Sequence, residues 1–545
     1  MTKRKRNLII TVLLLAVCAA AAVLLLTGTG GTSLSPKLQM YSFNRKLGTA
    51  DNSGFCRTTY EIFPYSFCDS DGDGIGDIQG IISKLDYIED LGFDQIWLTP
   101  VHPSPSYHKY DVTDYLSIDP AFGTLEDYEE LIEECHSRGI RVLMDMVVNH
   151  TSSDHEWFRK ASDYLHELPS DWEPDTSYCP CFGYYNFTRQ PQDGYAPLEG
   201  TNWYYEARFW SGMPDLALDS EAVRGEIETI VQYWLGKGVD GFRLDAVTSY
   251  HTGDTGSSAA FMKWFCDTCR RIKPDCYIVG EAWTDRNTIE ALYSSGIDSL
   301  FNFPFSGNEG YVRNAASGFI KASDFVNAMI WSDEAFRRSN PGYTDAPFYT
   351  NHDMARSAGY YAADEGPVTK MAYAVSLLMS GNSFMYYGEE LGMKGSGKDE
   401  NKRAPMYWSD DPSDSGMCQG PPDMDEVVMK FPSLRDQKKD GLSLYNWFRQ
   451  VIKVRRAFPA ISEGTVEESG LSTDSAAVFF KRCASGDVLI AMNFSEEQTS
   501  ADLSGLGSLE LAAVLNTSSE KITYEKGMLT LPAYSIAVLT VRHND

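Results

Sequence analysis

From residue 59 the chain repeatedly sets a short run of β-branched, aromatic and aliphatic residues before a longer stretch whose apolar positions recur every three or four residues. The short runs read as strands covered on both faces, and the longer stretches as amphipathic helices. Eight strand-like runs stand out: TYEIFPYSF, QIWLTP, RVLMDMVV, GFRLDA, CYIVGE, SLFNFPF, PFYTN and SFMYYGEE. Between them, GTLEDYEELIEECHSRG carries Thr124 and Asp127 at the spacing of a capping pair. Its Leu125, Tyr128, Leu131, Ile132 and Cys135 fall on one face, and Gly139 ends it. Strands alternating with crossover helices build a parallel sheet. Eight such units over about 400 residues predict an α/β fold, a (β/α)8 TIM barrel with insertions. A doubly wound sheet is the alternative, but no glycine-rich phosphate turn follows any of these runs.

The pattern breaks in three places. From Thr151 to Gly212, after the third strand, aromatics, Asp and Pro crowd together without helical period, which predicts a small irregular domain beside the barrel mouth. After Pro459 the runs AAVFFKR, VLIAMNF and SIAVLTV alternate and are split by polar turns, as in a C-terminal β-sandwich. At the N-terminus, MTKRKR precedes an apolar run from Leu8 to Leu26. That is an export signal, and its length suits either a cleaved signal or a retained membrane anchor with the remainder outside the cell. Cys18 would suit a lipoprotein, but Val17 fills the preceding position where a small residue is wanted. The division is therefore 1–40 leader and linker, 41–150 and 213–459 barrel, 151–212 insertion, and 460–545 sandwich.

Charge narrows the partners. Among 545 residues, 76 acidic and 47 basic side chains give a formal charge of −29. Such a surface argues against DNA, RNA or anionic lipid and leaves a neutral ligand open. The eleven cysteines are scattered. Neither CPC (Cys179, Cys181) nor CDTC (Cys266, Cys269) has zinc partners at ligand spacing, and CDTC lies within a helical stretch, unlike a redox motif.

In a TIM barrel, side chains at the C-terminal strand ends face the active site. Asp245 in GFRLDAV, Glu281 in IVGEAW and Asp353 in TNHD each end or follow a strand. A lone carboxylate there is ordinarily a cap or salt-bridge partner, but three at one rim form a constellation. Arg243 stands two residues before Asp245, so both point the same way, and a nearby guanidinium favours the ionised carboxylate. One carboxylate to attack and one to hold a proton are what retaining glycoside hydrolysis requires. His150 and His352, each in an Asn-His pair, could donate to sugar hydroxyls, and Tyr110 could stack on a sugar face.

Together, DMVVNH (Asp145–His150), GFRLDAV (Gly241–Val247), GEAW (Gly280–Trp283) and YTNHD (Tyr349–Asp353), in order, resemble the four main motifs of glycoside hydrolase family 13, the α-amylase family. SYHKYDVTDY, MPDL and YYGEE extend the resemblance over residues 41 to 545. It implies a barrel with an inserted domain and a C-terminal β-sandwich. It makes Asp245 the nucleophile, Glu281 the general acid/base and Asp353 the carboxylate that holds sugar hydroxyls. Arg243 orients the nucleophile, and Tyr110, Asp111, Asp145, His150 and His352 become contacts at the sugar being cleaved.

SYHKYD stands where single-glucose-releasing members carry a run like DDNGYD, and Ala246 is typical of members cleaving α-1,4 links. Both favour endo cutting of α-1,4-glucans or maltooligosaccharides. MPDL resembles a group between oligo-1,6-glucosidases and neopullulanases, so an exo-acting α-glucosidase or oligo-1,6-glucosidase is the alternative. Ala217 replaces that group's usual Asn, and Ser249 replaces a His of many α-amylases, which puts in doubt the family's main calcium site, to which Asn149 would contribute. A reading of another class is a non-catalytic amylase-like ectodomain partnering a membrane transporter. Such partners lack the full catalytic set, which this chain keeps.

DSDGDGIGD, Asp69 to Asp77, begins like an EF-hand but has Gly80 where that loop needs a bidentate Glu. A solvated acidic turn is one reading. Oligoglucosidase-like family members carry a similar calcium loop here, and that resemblance implies a structural Ca2+ on Asp69, Asp71, Asp73, Asp77 and the Ile75 carbonyl.

Overall fold

The computed structural model describes residues 41–43, 54–361, 363–364, 366–517 and 520–542, so the predicted export segment with Cys18 lies outside the described residues. Among the described residues, no helix is long and apolar enough to cross a membrane.

Seven strands form one parallel sheet, in the spatial order Ser299–Leu300, Tyr277–Gly280, Gly241–Leu244, Arg141–Met146, Gln95–Leu98, Thr58–Ile62 and Ser383–Tyr386. Its two edges meet through residues 346–348: Ala346 bridges Phe301 and Phe348 bridges Phe384, both in parallel sense. The barrel closes there. The predicted seventh strand, PFYTN, is thus a pair of bridges and not a regular strand, because Pro347 between them has no N–H to give a ladder.

Strand periodicity decides what enters the lumen. Trp97, Leu143, Tyr277, Val279, Phe301, Phe348 and Phe384 pack together inside the barrel. The register pairs Glu61 with Trp97, Trp97 with Leu143, Asp145 with Arg243, and Arg243 with Val279. Two residues on from Leu143 and Val279 stand Asp145 and Glu281, and Glu61 and Arg243, level with Trp97 and Val279 in the register, join them at the polar end of the lumen. Gly241 starts its strand because a Cβ there would stand 1.9 Å from the Tyr277 carbonyl oxygen. Outside, the helix Leu125–Ser137 carries its capping box: Thr124 accepts from the Asp127 amide, and Asp127 accepts from the Thr124 amide at 2.7 Å. Tyr128, Leu131, Ile132 and Cys135 are its buried face.

The insertion departs from expectation. It holds a 12-residue helix, Glu156–Glu167, whose Phe158, Ala161 and Leu165 are buried, and a small sheet of Phe187–Thr188, Tyr204–Glu206 and Tyr195–Pro197. Only three apolar positions at i, i+3 and i+7 carry that helix, and charged residues between them hide the period. At the C-terminal end, a six-stranded antiparallel sheet packs against a three-stranded one. Val478, Phe480, Leu489, Leu503, Leu529, Leu531 and Leu539 form a shared core between them. Tyr41–Phe43 pairs antiparallel with Ala513–Leu515 in this sheet, so the strand sits with the sandwich and not, as divided from sequence, with the barrel. All ten described cysteines are free. Burial pushes the Cys266 and Cys269 thiols up, the opposite of what a redox motif needs.

Candidate active site

Asp245 and Glu281 each follow directly on a barrel strand, and one guanidinium joins them. Arg243 Nη1 lies 2.7 Å from Asp245 Oδ1 and its Nη2 lies 3.1 Å from Glu281 Oε1. The same Nη1 meets Asp145 Oδ1 at 2.9 Å. Arg243 is wholly buried, with its plane near the Trp97 and Tyr110 rings. A buried cation among three carboxylates is a fixed geometric reference for all of them. Glu281 also accepts the backbone N–H of Ala246 at 3.0 Å.

Asp353 is held from the other side. Its Oδ1 is 2.7 Å from Arg403 Nη2 and its Oδ2 is 3.1 Å from His352 Nε2. With 31% of its side chain exposed, against 11% and 9% for Asp245 and Glu281, it is the acid most open to a ligand. His352 is buried and spans two partners: Nε2 lies 2.6 Å from Tyr110 Oη, and Nδ1 lies 2.6 Å from Glu61 Oε1. Tyr110 in turn donates to Asp145 at 3.0 Å.

These contacts set the acids apart. Burial pushes the Glu281 carboxyl up to about 7; Arg243 acts against the rise, while Asp245 and Asp353 add to it. For Asp353, burial also acts upward, but His352 and then Arg403 hold its carboxyl well below the usual range. Burial opposes charge on His352, yet Asp353 and Glu61 push its imidazole up to about 10. At neutral pH the site therefore holds an anionic Asp353, a cationic His352 and a Glu281 that can carry a proton.

Tyr110, His150, Asp245, Glu281 and Asp353 line a chamber of about 390 Å³ together with Phe209, Met213, Ser249, Trp283 and Arg403. A second cavity of about 1130 Å³ shares Trp283 and Asp353 with it and runs on past Phe303, Tyr311 and Trp331. Three expected sugar contacts do not line the chamber. Asp111 is turned inward, accepting from Ser104 Oγ at 2.6 Å and from Ser106 Oγ. Asp145 and His352 are wholly buried behind the wall and hold the groups that form it. His150 does reach the wall, its Nε2 3.2 Å from the Tyr110 carbonyl oxygen, and burial lowers its imidazole.

Glu61, Trp97 and Arg403 belong to this site and were not among the expected residues. Glu61 carried one readable signal, a lone charge inside a buried strand. Trp97 donates from the second strand to Asp145 at 3.2 Å. Arg403 arrives from the C-terminal end of the short helix Asp399–Lys402, beyond the last barrel strand, with no local pattern to mark it.

The acidic loop lies apart. Carboxylate oxygens of Asp69, Asp71 and Asp77 lie within 4.8 Å of one another, the one such grouping among the described residues. Asp73 falls outside it, accepting from the Ile75 amide at 2.7 Å. Asp77 caps the helix Ile78–Ile82 through the Gly80 amide at 2.6 Å. No Glu could replace Gly80, since a Cβ there would stand 1.9 Å from the Cys68 carbonyl oxygen. Asn149 donates to Asp215 at 3.2 Å, and Ser249 lines the chamber.

Known proteins are similar to this chain in sequence and fold. The family model "Alpha amylase, catalytic domain" matches residues 61–464. "Alpha-amylase 3" of Dictyoglomus thermophilum is 33% identical over 488 residues, covering 88% of this chain and 92% of that one. "Oligo-1,6-glucosidase" of Heyndrickxia coagulans is 30% identical over 522 residues, covering 81% and 92%. The solved structure "Eubacterium rectale Amy13B" superposes with a TM-score of 0.90 at 46% identity, covering 91% of this chain and 98% of that one.

Proposed function

The chain belongs to the α-amylase family of glycoside hydrolases, and from that membership we propose that it cuts internal α-1,4 bonds of starch-like glucans and maltooligosaccharides by double displacement, retaining the anomeric configuration. The observation that carries the mechanism is the pair of carboxylates on one guanidinium, Asp245 at 2.7 Å and Glu281 at 3.1 Å, the latter raised by burial to about 7.

In the first step an Asp245 oxygen attacks the anomeric carbon while Glu281 passes its proton to the departing glycosidic oxygen. The C–O bond breaks and a glycosyl ester forms on Asp245. In the second step the Glu281 carboxylate takes a proton from water, whose oxygen attacks the same carbon and frees Asp245. Asp353, anionic and the most open of the three, accepts hydrogen bonds from sugar hydroxyls; Tyr110 and His150 shape the wall beside it.

Endo cutting is supported by the cleft, which continues beyond the acids into the larger cavity instead of ending at them. The relatedness to an oligo-1,6-glucosidase supports the exo alternative. Product analysis on starch, pullulan, isomaltose and a cyclodextrin separates them. Early maltooligosaccharides from starch support endo cutting, and early release of glucose alone overturns it.

Two expectations enter as proposals. A structural Ca2+ would be held by Asp69, Asp71 and Asp77, joined by Asp73 and the Ile75 carbonyl as the family resemblance implies. All are hard oxygen donors, and the ion would pin the first strand to its helix. The protein would work outside the cell, secreted or anchored through its N-terminal apolar segment.

A further inference from the structure

Glu61 is almost wholly buried on the first barrel strand, and its Oε1 accepts twice from one residue: the Nδ1–H of His352 at 2.6 Å and the His352 backbone N–H at 3.3 Å. A carboxylate in that place fixes which ring nitrogen carries its proton toward the barrel wall. It also adds a negative charge beside the ring. The opposite nitrogen, Nε2, then faces Tyr110 Oη at 2.6 Å and Asp353 Oδ2 at 3.1 Å. A bare lone pair at Nε2 would oppose the Asp353 anion, whereas an N–H there attracts it. We propose that Glu61 is a positioning residue for catalysis: it holds His352 doubly protonated, so that the imidazolium, its Nε2–H directed to Tyr110 Oη, stands as a cation beside Asp353 and keeps that carboxylate charged and aimed at the sugar.

The surroundings agree. The charged and titratable groups in and around this pair come from seven segments. They are Glu61 on the first strand, Tyr110 after the second, Asp145 and Arg243 on the third and fourth, Asp353 beside His352, Tyr386 on the last strand, and Arg403, which donates to the His352 carbonyl oxygen at 3.3 Å. Trp97 sets its ring edge-on to the imidazole at 5.7 Å and keeps water from that side. Only Glu61 and Asp353 bring acceptor charge directly to the two ring nitrogens. Removing one leaves the cation half-compensated in a buried place, where charge is costly. The inference rests on Asp353 acting as a sugar ligand, as proposed above.

Labelling histidine ring nitrogens with 15N in the full chain tests it, with His352 assigned by its loss in His352→Gln. In the wild type both His352 nitrogens are expected to be protonated at pH 8. In Glu61→Gln, whose amide oxygen still accepts from Nδ1, the ring is expected to lose its Nε2 proton at a pH at least one unit lower. kcat/KM at pH 6 should then stay within about threefold of wild type, but fall tenfold or more in Glu61→Leu, which loses orientation as well. A neutral His352 in the wild type at pH 8, or an unchanged titration in Glu61→Gln, overturns the proposal. Once His352→Gln has assigned the signal, the wild-type titration is read on the unaltered protein. Neither spectrum needs substrate, so this failure is distinct from failure of the α-1,4 reading.

Discussion

The backbone N–H of Ala246 donates to Glu281 Oε2 at 3.0 Å, and Ala246 adopts a φ of 47° to do so. The residue after one of the two proposed catalytic carboxylates thereby holds the other. A left-handed backbone at a residue with a Cβ costs roughly 1–2 kcal/mol. Ala246→Gly should therefore stabilise the protein by up to about 1 kcal/mol while keeping activity. Ala246→Val, β-branched at the same φ, should cost about 1–3 kcal/mol and lower kcat by moving the amide away. Denaturant unfolding and initial rates on soluble starch check both. Equal stability in the Val and Gly variants would count against the strain.

In the proposed mechanism Glu281 must carry a proton to act first as an acid. Because burial raises it to about 7, kcat should fall as pH rises through about 7. Stability has the same sign. The folded state holds this proton between the ordinary value of 4.5 and about 7, where the unfolded chain has lost it. The contribution is full below 4.5 and is lost as pH rises through about 7. Glu281→Gln should melt higher than the wild type at pH 8, with the gap closing toward pH 4.5. It should also lose roughly 10²–10⁴-fold in rate. A melting difference independent of pH would refute the assignment.

Much of the barrel was legible because strands buried on both faces leave continuous apolar runs, and three strand-end acids could be ranked by position alone. The seventh run was readable as a segment but not as bridges, since only the closed sheet reveals that Pro347 cannot join a ladder. The helix Glu156–Glu167 was hidden because its buried face needs just Phe158, Ala161 and Leu165. Arg403 was beyond reach for another reason. It meets Asp353 from 50 residues further along the chain, a pairing that no local pattern records. Asp111 shows the converse: its motif position suggested a sugar contact, and two nearby serines claim it instead.

The acidic loop gives a prediction that leaves the chemistry alone. Ligand present at 100 times its Kd stabilises a folded protein by about 2.7 kcal/mol. Calcium should therefore raise the melting temperature of the chelated protein. Asp69→Ala, which removes a proposed ligand and the acceptor of three loop amides, should abolish that rise with kcat at 25 °C little changed. Melting curves with and without chelator, and metal content after dialysis, decide the matter. No bound metal and no shift would leave the loop a hydrogen-bonded acidic turn.

Trp331 stands on the helix Ala322–Ser339, 54% exposed, and lines the larger cavity beyond Trp283. A flat ring left open to water beside a glycosidase cleft can cover the apolar face of a sugar, and at about 25 cal/mol per Å² of apolar area a contact covering roughly 20–60 Å² is worth about 0.5–1.5 kcal/mol. Trp331→Ala should thus raise KM about 2- to 10-fold for maltooligosaccharides long enough to span both cavities. It should leave kcat/KM unchanged for a chain confined to the smaller chamber, because the acids and Arg243 are untouched. Trp283, shared by the two cavities and stacked on Phe303 at 5.0 Å, should affect short and long chains alike when truncated. If Trp331→Ala weakened both chain lengths equally, the effect would be on folding or on the chamber itself. If it weakened neither, the larger cavity would not be part of the path a glucan follows.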